Sequence, residues 1–315
     1  MTSPQPRSPA AEADTPTWLQ RKERGSLALL RLMTWLSLTL GRRLTRPIVY
    51  GIALYFLLAV PAARAASRGY LQRVLGRPAG WRELYRHILA FASTIHDRVY
   101  LLNDRHELFD IRVYGEELLS AAEDASGGLL IFGAHLGSFE VLRALARKSA
   151  RHKVCAAMYP QNARLLNSML ARVNAQVVLG IIPLGRLDAI FTLNEQVQAG
   201  AWVALLADRA VGPASHLQVP LFGEPAPFPL GPFRLAAIVR RPVYFMTGLY
   251  RGGNRYDIHF ERLADFSGAS EAQRESVMRT AIERYAQLIE QHCRQAPYNW
   301  FNFYDFWKEA SRAPR

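Results

Sequence analysis

From Ile111 onward, short apolar runs alternate with amphipathic segments, the pattern of strands and helices that builds a largely parallel sheet. The runs predict strands over 128–133, 154–158, 176–182, 202–207, 242–249 and 255–261. Helical spacing predicts helices over 138–149, 161–174, 186–199, 232–240 and 271–294. The stretch Ile-Arg-Val-Tyr-Gly at 111–115 predicts an edge hairpin, and the Pro/Gly-dense region 209–232 predicts a long ordered loop. Loops of that length inside a compact domain are usually functional.

Upstream the texture differs. Residues 27–40 are apolar apart from Arg31 and hydroxyls, and residues 47–63 hold no charge. Each is short against the ~20 residues that cross a hydrocarbon core. Both are followed by cationic clusters, at 42–46 and 64–77, where a membrane-surface element keeps its Lys and Arg. The pattern predicts a hydrophobic helical membrane anchor, either one tilted span or a pair dipping into one leaflet; two buried core helices are the alternative. Residues 67–108 read as basic amphipathic helices, on or beside which His87, His96 and His106 lack ligand spacing and read as structural or surface groups. The expected organisation is a disordered start at 1–17, a hydrophobic and basic helical region at 18–108, an α/β domain at 109–308 and a tail at 309–315.

Charge sharpens this picture. The net charge is +13, and residues 1–100 hold fifteen Lys/Arg against five Asp/Glu. Because the basic residues are interleaved with long apolar runs and no nucleic-acid-binding motif is visible, an anionic lipid surface is the better partner. Cys155 and Cys293 have no paired spacing, so neither a zinc site nor a disulfide framework is supported. The polar first residues carry no secretory signal, which places the start of the chain in the cytosol. Seven aromatics among residues 297–307 predict a hydrophobic plug over the domain or, alternatively, a lipid-contacting belt.

Candidate chemistry centres on Gly127 to Arg143, GGLLIFGAHLGSFEVLR. The apolar run Leu129–Phe132 reads as a buried parallel strand, and a helix is expected to begin near Ser138. His135 then lies at the carboxyl end of a strand, where open α/β sheets place their ligands. A neutral imidazole can take a proton from a hydroxyl, and Glu140, in the first helical turn, can accept from the other ring nitrogen and fix the tautomer. The competing reading is a strand cap at His135 and a helix-dipole partner in Glu140, worth ~0.3–1 kcal/mol. Ser138 is not in a G-x-S-x-G elbow and reads as an N-cap. No second histidine stands at metal-ligand spacing, and no Gly-rich nucleotide motif is present.

The H-x4-E after an apolar strand, behind a hydrophobic and basic N-terminal region, resembles the lysophospholipid acyltransferase superfamily. Its glutamate form is similar to the late lipid A acyltransferases. AWVALLADR at 201–209 resembles that branch's strand ending in Asp, and QVPLFGEPAPFPLGPFRLA at 218–236 resembles its V-P-F-F-G segment and the small-residue helix after it. The similarity covers roughly residues 18–307. The wording GAHLGSFE, the Ala-Asp-Arg and the aromatic end look more like the acyltransferases of aryl polyene and xanthomonadin pigment pathways.

The resemblance implies a mixed, largely parallel sheet flanked by helices, similar to glycerolipid acyltransferases, held at the cytoplasmic face of the inner membrane. It implies that His135, oriented by Glu140, deprotonates an acceptor hydroxyl that attacks an acyl thioester, from acyl carrier protein or acyl-CoA, without metal or cofactor. Arg186 is the best-placed match for the family's assisting arginine, with Arg164 and Arg172 behind it. Asp208 is expected to position the acceptor or Arg209, or else to act as a strand-end cap or salt-bridge partner, and Arg164, Arg209, Phe222 and Gly223 are candidate substrate contacts. A lipid-surface thioesterase or esterase using the same dyad, and a non-catalytic lipid-binding protein, are the rival readings.

Overall fold

The computed structural model describes residues 27–118, 128–141, 153–158, 180–185, 188–209 and 215–308. The expected disordered start, the helix 161–174 and the tail lie outside these residues, as does most of the helix 138–149. Four helices open the described chain: α1 (Leu27–Leu40), α2 (Arg42–Ala59), α3 (Pro61–Leu75) and α4 (Trp81–Leu102). After them β1 (Asp110–Tyr114), β2 (Leu129–Gly137), β3 (Val154–Met158) and β4 (Ile181–Pro183) lead to α5 (Asp188–Gln198) and β5 (Trp202–Leu206). The hairpin β6 (His216–Leu221) and β7 (Glu224–Pro229) precedes α6 (Gly231–Val239), and β8 (Pro242–Gly252), β9 (Arg255–Asp265) and α7 (Arg274–Gln295) complete the fold.

Seven strands form one sheet in the order β1-β9-β8-β2-β5-β3-β4. All its pairings are parallel except β8 with β9, so the expected mixed, mostly parallel sheet is present. The continuous apolar run of β2 fits its place between β5 and β8, covered on both faces. Leu130, Phe132 and Leu136 join one hydrophobic cluster with Tyr70, Leu84, Phe233, Tyr285 and Trp300. Leu129 and Ile131 point to the other face, among Tyr100, Phe109, Tyr244 and Tyr256. Phe132 is fully buried, so its truncation to alanine would cost about 3–5 kcal/mol.

Three expectations are corrected. Region 209–232 is not one long loop: its described part contains β6, β7 and the start of α6. A two-stranded ribbon tolerates the prolines because each strand has an unpaired edge on which a missing N–H costs nothing. Residues 111–115 do not form a hairpin; β1 is an edge strand paired in parallel with β9. The strand expected at 128–133 continues to Gly137 through an irregularity in its register with β8. Gly137 adopts φ +76, and a Cβ there would stand 2.1 Å from the carbonyl oxygen of Gly248, so glycine is required for this close crossing.

The N-terminal helices pack onto the α/β part. No single described helix is long and apolar enough to cross a membrane; α2 and α3 together pass by length and composition but are bent by 95° at Val60. Ala53, Leu57, Tyr70, Leu71 and Leu84 share the cluster that contains β2, so the core is continuous across the expected boundary at 108. A buried ionic node reinforces this: Asp97 of α4 accepts from Arg42 of α2 at 2.8 Å and from Tyr256 of β9 at 2.8 Å.

Candidate active site

The central observation follows from strand register. In β2 and β5, Leu129 pairs with Trp202 and Gly133 with Leu206, a constant offset of 73 positions. Carried two residues further, that offset sets His135 beside Asp208. The Asp208 carboxylate takes the His135 ring at Nδ1 (2.7 Å to Oδ1) and the His135 backbone N–H (3.0 Å to Oδ2). Asp208 is 1 % exposed, whereas 27 % of the His135 side chain remains open.

The electrostatics assign the proton. Burial alone would raise the Asp208 pKa, but the charge and hydrogen bonds of His135, with the nearby Arg209 guanidinium, hold it well below the usual carboxylate range. An ionised carboxylate can only accept, so Nδ1 carries the hydrogen and Nε2 carries the lone pair. Among the described residues Nε2 has no hydrogen-bond partner. Burial lowers the His135 pKa, Arg209 and Arg98 lower it further, and Asp208 acts in the opposite direction. The imidazole is therefore held neutral near neutral pH, with its basic nitrogen unpaired among the described residues.

Glu140 does not orient the His135 ring, which corrects the expected pairing. Its Oε1 lies 2.8 Å from Arg98 Nε of α4, and its Oε2 accepts from Ser138 Oγ at 3.3 Å. Because β2 runs on to Gly137, the helical turn that carries Glu140 starts later than expected, and Asp208 on the adjacent strand end occupies Nδ1. Ser138 directs its hydroxyl to Glu140, and its backbone N–H donates to Gly248 O at 2.8 Å.

The aromatic C-terminal stretch is a buried plug, and it reaches the site. Trp300 is fully buried; its Nε1–H donates to Asp208 Oδ2 at 3.2 Å, as does Asn302 Nδ2, also at 3.2 Å. Phe301 N–H donates to His135 O at 2.7 Å, and Gly137 N–H donates to Asn299 O at 2.8 Å. Behind it, His87 Nε2 donates to Trp300 O at 2.8 Å, which leaves Nδ1 to accept from Ser67 Oγ at 2.7 Å. His87 and His96 are buried, with pKa values lowered by burial to about 4.

The remaining candidates separate. Arg209 turns to the same stretch, donating from Nε to Asn302 Oδ1 at 2.6 Å and from Nη2 to Phe301 O at 2.9 Å. Its guanidinium stands 5.2 Å from the Tyr304 ring centroid. Phe222 and Gly223 form the β6–β7 turn with φ 53 and 82. Phe222 packs near Tyr70 and Arg294, and its N–H donates to Glu290, so these two residues shape the hairpin tip. Arg164, Arg172 and Arg186 lie outside the described residues. No cluster of three metal-ligating side chains occurs among the described residues.

Sequence reading missed Arg98, Trp300 and Asn302. Trp300 and Asn302 sit inside the aromatic run that read as a plug, where the two asparagines among rings, Asn299 and Asn302, were the available signal; nothing local marks Arg98.

Among curated proteins, none matches this sequence. The bacterial lipid A biosynthesis acyltransferase family matches residues 25–309, nearly the whole chain, and its members are acyltransferases. The chain belongs to the bacterial lipid A biosynthesis acyltransferase family.

Proposed function

We propose that the protein transfers a fatty acyl group from a thioester, carried by acyl carrier protein or CoA, to a hydroxyl of a lipid acceptor, with His135 as general base and Asp208 as its orienting partner. The observation that carries this reading is a half-open histidine whose Nδ1–H is held at 2.7 Å by a buried carboxylate and whose lone-pair-bearing Nε2 has no partner among the described residues. Nε2 takes the acceptor proton as the alkoxide attacks the thioester carbonyl; the tetrahedral intermediate collapses, and the thiolate leaves and is protonated. Asp208 stabilises the imidazolium formed between these steps. The acceptor is a lipid A-like molecule, a glycolipid, a lysophospholipid or, by the resemblance noted above, an aryl polyene lipid.

A membrane location at the cytoplasmic face of the inner membrane is part of the proposal. Among the described residues, eleven of the seventeen exposed large hydrophobics lie on α1 and α2, including Trp35, Leu44, Leu54, Tyr55 and Leu58. The opposite face of α2 buries Val49, Ala53 and Leu57 against the fold. An apolar surface of this kind on a chain of net charge +13 suits an anionic bilayer. Leu44→Glu with Leu54→Glu should then reduce co-flotation with phosphatidylglycerol vesicles several-fold without changing the circular dichroism spectrum.

The test of the reaction supplies purified protein with lauroyl-CoA, or the lauroyl thioester of an acyl carrier protein, and a bacterial lipid extract. Mass spectrometry should show acylated lipid that disappears in His135→Ala. Full activity in that variant removes His135 from the reaction. Free laurate as the sole product makes the protein a thioesterase, and no turnover with either donor favours a lipid-binding protein.

A further inference from the structure

We propose that the C-terminal stretch Asn299–Tyr304 is a working part of the active site, in which Asn302, held by Arg209, is a positioning residue that fixes the Asp208 carboxylate toward His135. The inference rests on the reading of His135 as base and adds residues that neither the H-x4-E motif nor the strand pairing supplies.

Asn302 is 2 % exposed and lies among aromatic residues. A buried amide is costly there unless its polar atoms are satisfied, and an apolar side chain would pack at lower cost. Both ends of this amide are used. Arginine can only donate, so Arg209 Nε at 2.6 Å fixes Oδ1 on its side and turns Nδ2 toward Asp208 Oδ2. Oδ2 then receives three donors: the His135 N–H, Trp300 Nε1 and Asn302 Nδ2. The other oxygen, Oδ1, receives only the His135 ring among the described residues. Three donors on one oxygen stop the carboxylate from rotating, which keeps Oδ1 aimed at Nδ1 and Nε2 aimed outward.

The stretch is itself anchored on both sides. It pairs with the end of β2 through the Phe301 N–H and the Asn299 carbonyl. The Asn299 side chain brackets Tyr250 of β8, accepting from its N–H at 2.7 Å and donating to its carbonyl at 3.1 Å. A segment that only filled space would not need a polar chain from Arg209 through Asn302 to Asp208. The charged groups around the ring come from three elements: Asp208 and Arg209 after β5, Arg98 on α4, and Glu140, which pairs with Arg98.

The test uses Asn302→Asp, which keeps the size of the side chain and the acceptor for Arg209 but sets a carboxylate oxygen against Oδ2. Its kcat with lauroyl-CoA and lipid acceptor should fall by at least about tenfold, with the KM for the thioester unchanged. The His135 titration followed by NMR should move up by on the order of one pH unit, since a negative charge favours imidazolium. Trp300→Phe, which retains the ring but not the N–H, should shift both readouts in the same directions by less. Arg209→Gln combined with Asn302→Asp should give less than the sum of the single effects, because both act through one amide. If Asn302→Asp and Trp300→Phe lower only the melting temperature, with kcat and the His135 titration unmoved, the stretch is structural and the inference is overturned. His135→Ala in parallel separates the two failures: its inactivity beside fully active Asn302→Asp and Trp300→Phe sinks this inference alone, whereas its full activity sinks the base itself. The NMR titration stands whichever thioester the protein accepts.

Discussion

Among the described residues, two histidine–carboxylate pairs stand within 2.7 Å, and they differ in which partner is open. His292 of α7 meets Glu261 of β9 at 2.6 Å through Nε2, a bond as short as that between His135 and Asp208. The His292 side chain is 1 % exposed and stacks on Phe245 with centroids 5.7 Å apart, while its carboxylate partner is 25 % exposed. In the other pair the exposures are reversed: the carboxylate is sealed and the imidazole is open. A buried acceptor with an accessible base can meet a substrate and stabilise the cation that forms; a sealed base with an accessible acceptor fastens a helix to a strand. The distance between partners says little about chemistry, and the direction of exposure says more.

The sharpest way to break this comparison is to remove the carboxylate from each pair. Asp208→Asn should lower kcat by about 10²–10⁴-fold, because the ring loses the partner that sets its tautomer. Glu261→Gln should leave kcat within about twofold and cost about 1–3 kcal/mol through a less satisfied buried ring, read as a lower melting temperature. Equal losses of activity in the two variants would erase the distinction. Glu140→Gln sharpens the contrast from within the motif. It should reduce kcat by on the order of tenfold by releasing Arg98, yet leave the hydrogen bond between Nδ1 and Asp208 in the NMR spectrum. Loss of that resonance would return the orienting role to Glu140.

The smallest effect concerns acid stability. Burial lowers the pKa values of His87, His96 and His259 to about 4. Between their ordinary value of about 6.5 and that value, the unfolded chain binds more protons than the folded one, so stability falls as pH falls. Asp208 works in a lower window, since its depressed pKa contributes stability that is lost only when pH drops below the ordinary carboxylate range. The melting temperature should therefore decline from pH 6.5 toward pH 4 before carboxylates contribute. Replacing His87 with Gln should flatten that slope by a few degrees over the interval; a melting temperature constant across it would contradict the burial of these rings.

The sheet was legible in the sequence where packing is uniform. Leu129–Phe132 and Trp202–Leu206 are apolar without interruption because both faces of β2 and β5 are covered, and unbroken runs of that kind signal buried parallel strands. His135 was legible for the same reason, as the first titratable residue beyond such a run. Its partner was not, because a relation of 73 positions is a property of strand register and leaves no local trace. The nearer glutamate, in the first turn of the helix expected after the strand, drew the assignment instead. The hairpin β6–β7 was hidden by its prolines, whose usual meaning reverses in a ribbon made entirely of edges. Asn302 was hidden by its neighbours, since an aromatic run reads as packing and conceals the one amide that carries direction.

The contact between Asp208 and Trp300 spans 92 positions of chain, and it bears on the order in which the protein is made. Once β5 has emerged from the ribosome, His135 and Asp208 both exist and the register between their strands can form. Two of the donors that steady the carboxylate, Trp300 and Asn302, are synthesised 92 and 94 positions after it. A nascent chain can thus hold a nearly complete sheet without that clasp, so chains interrupted before residue 302 would lack the side-chain donors that steady the Asp208 carboxylate beside His135.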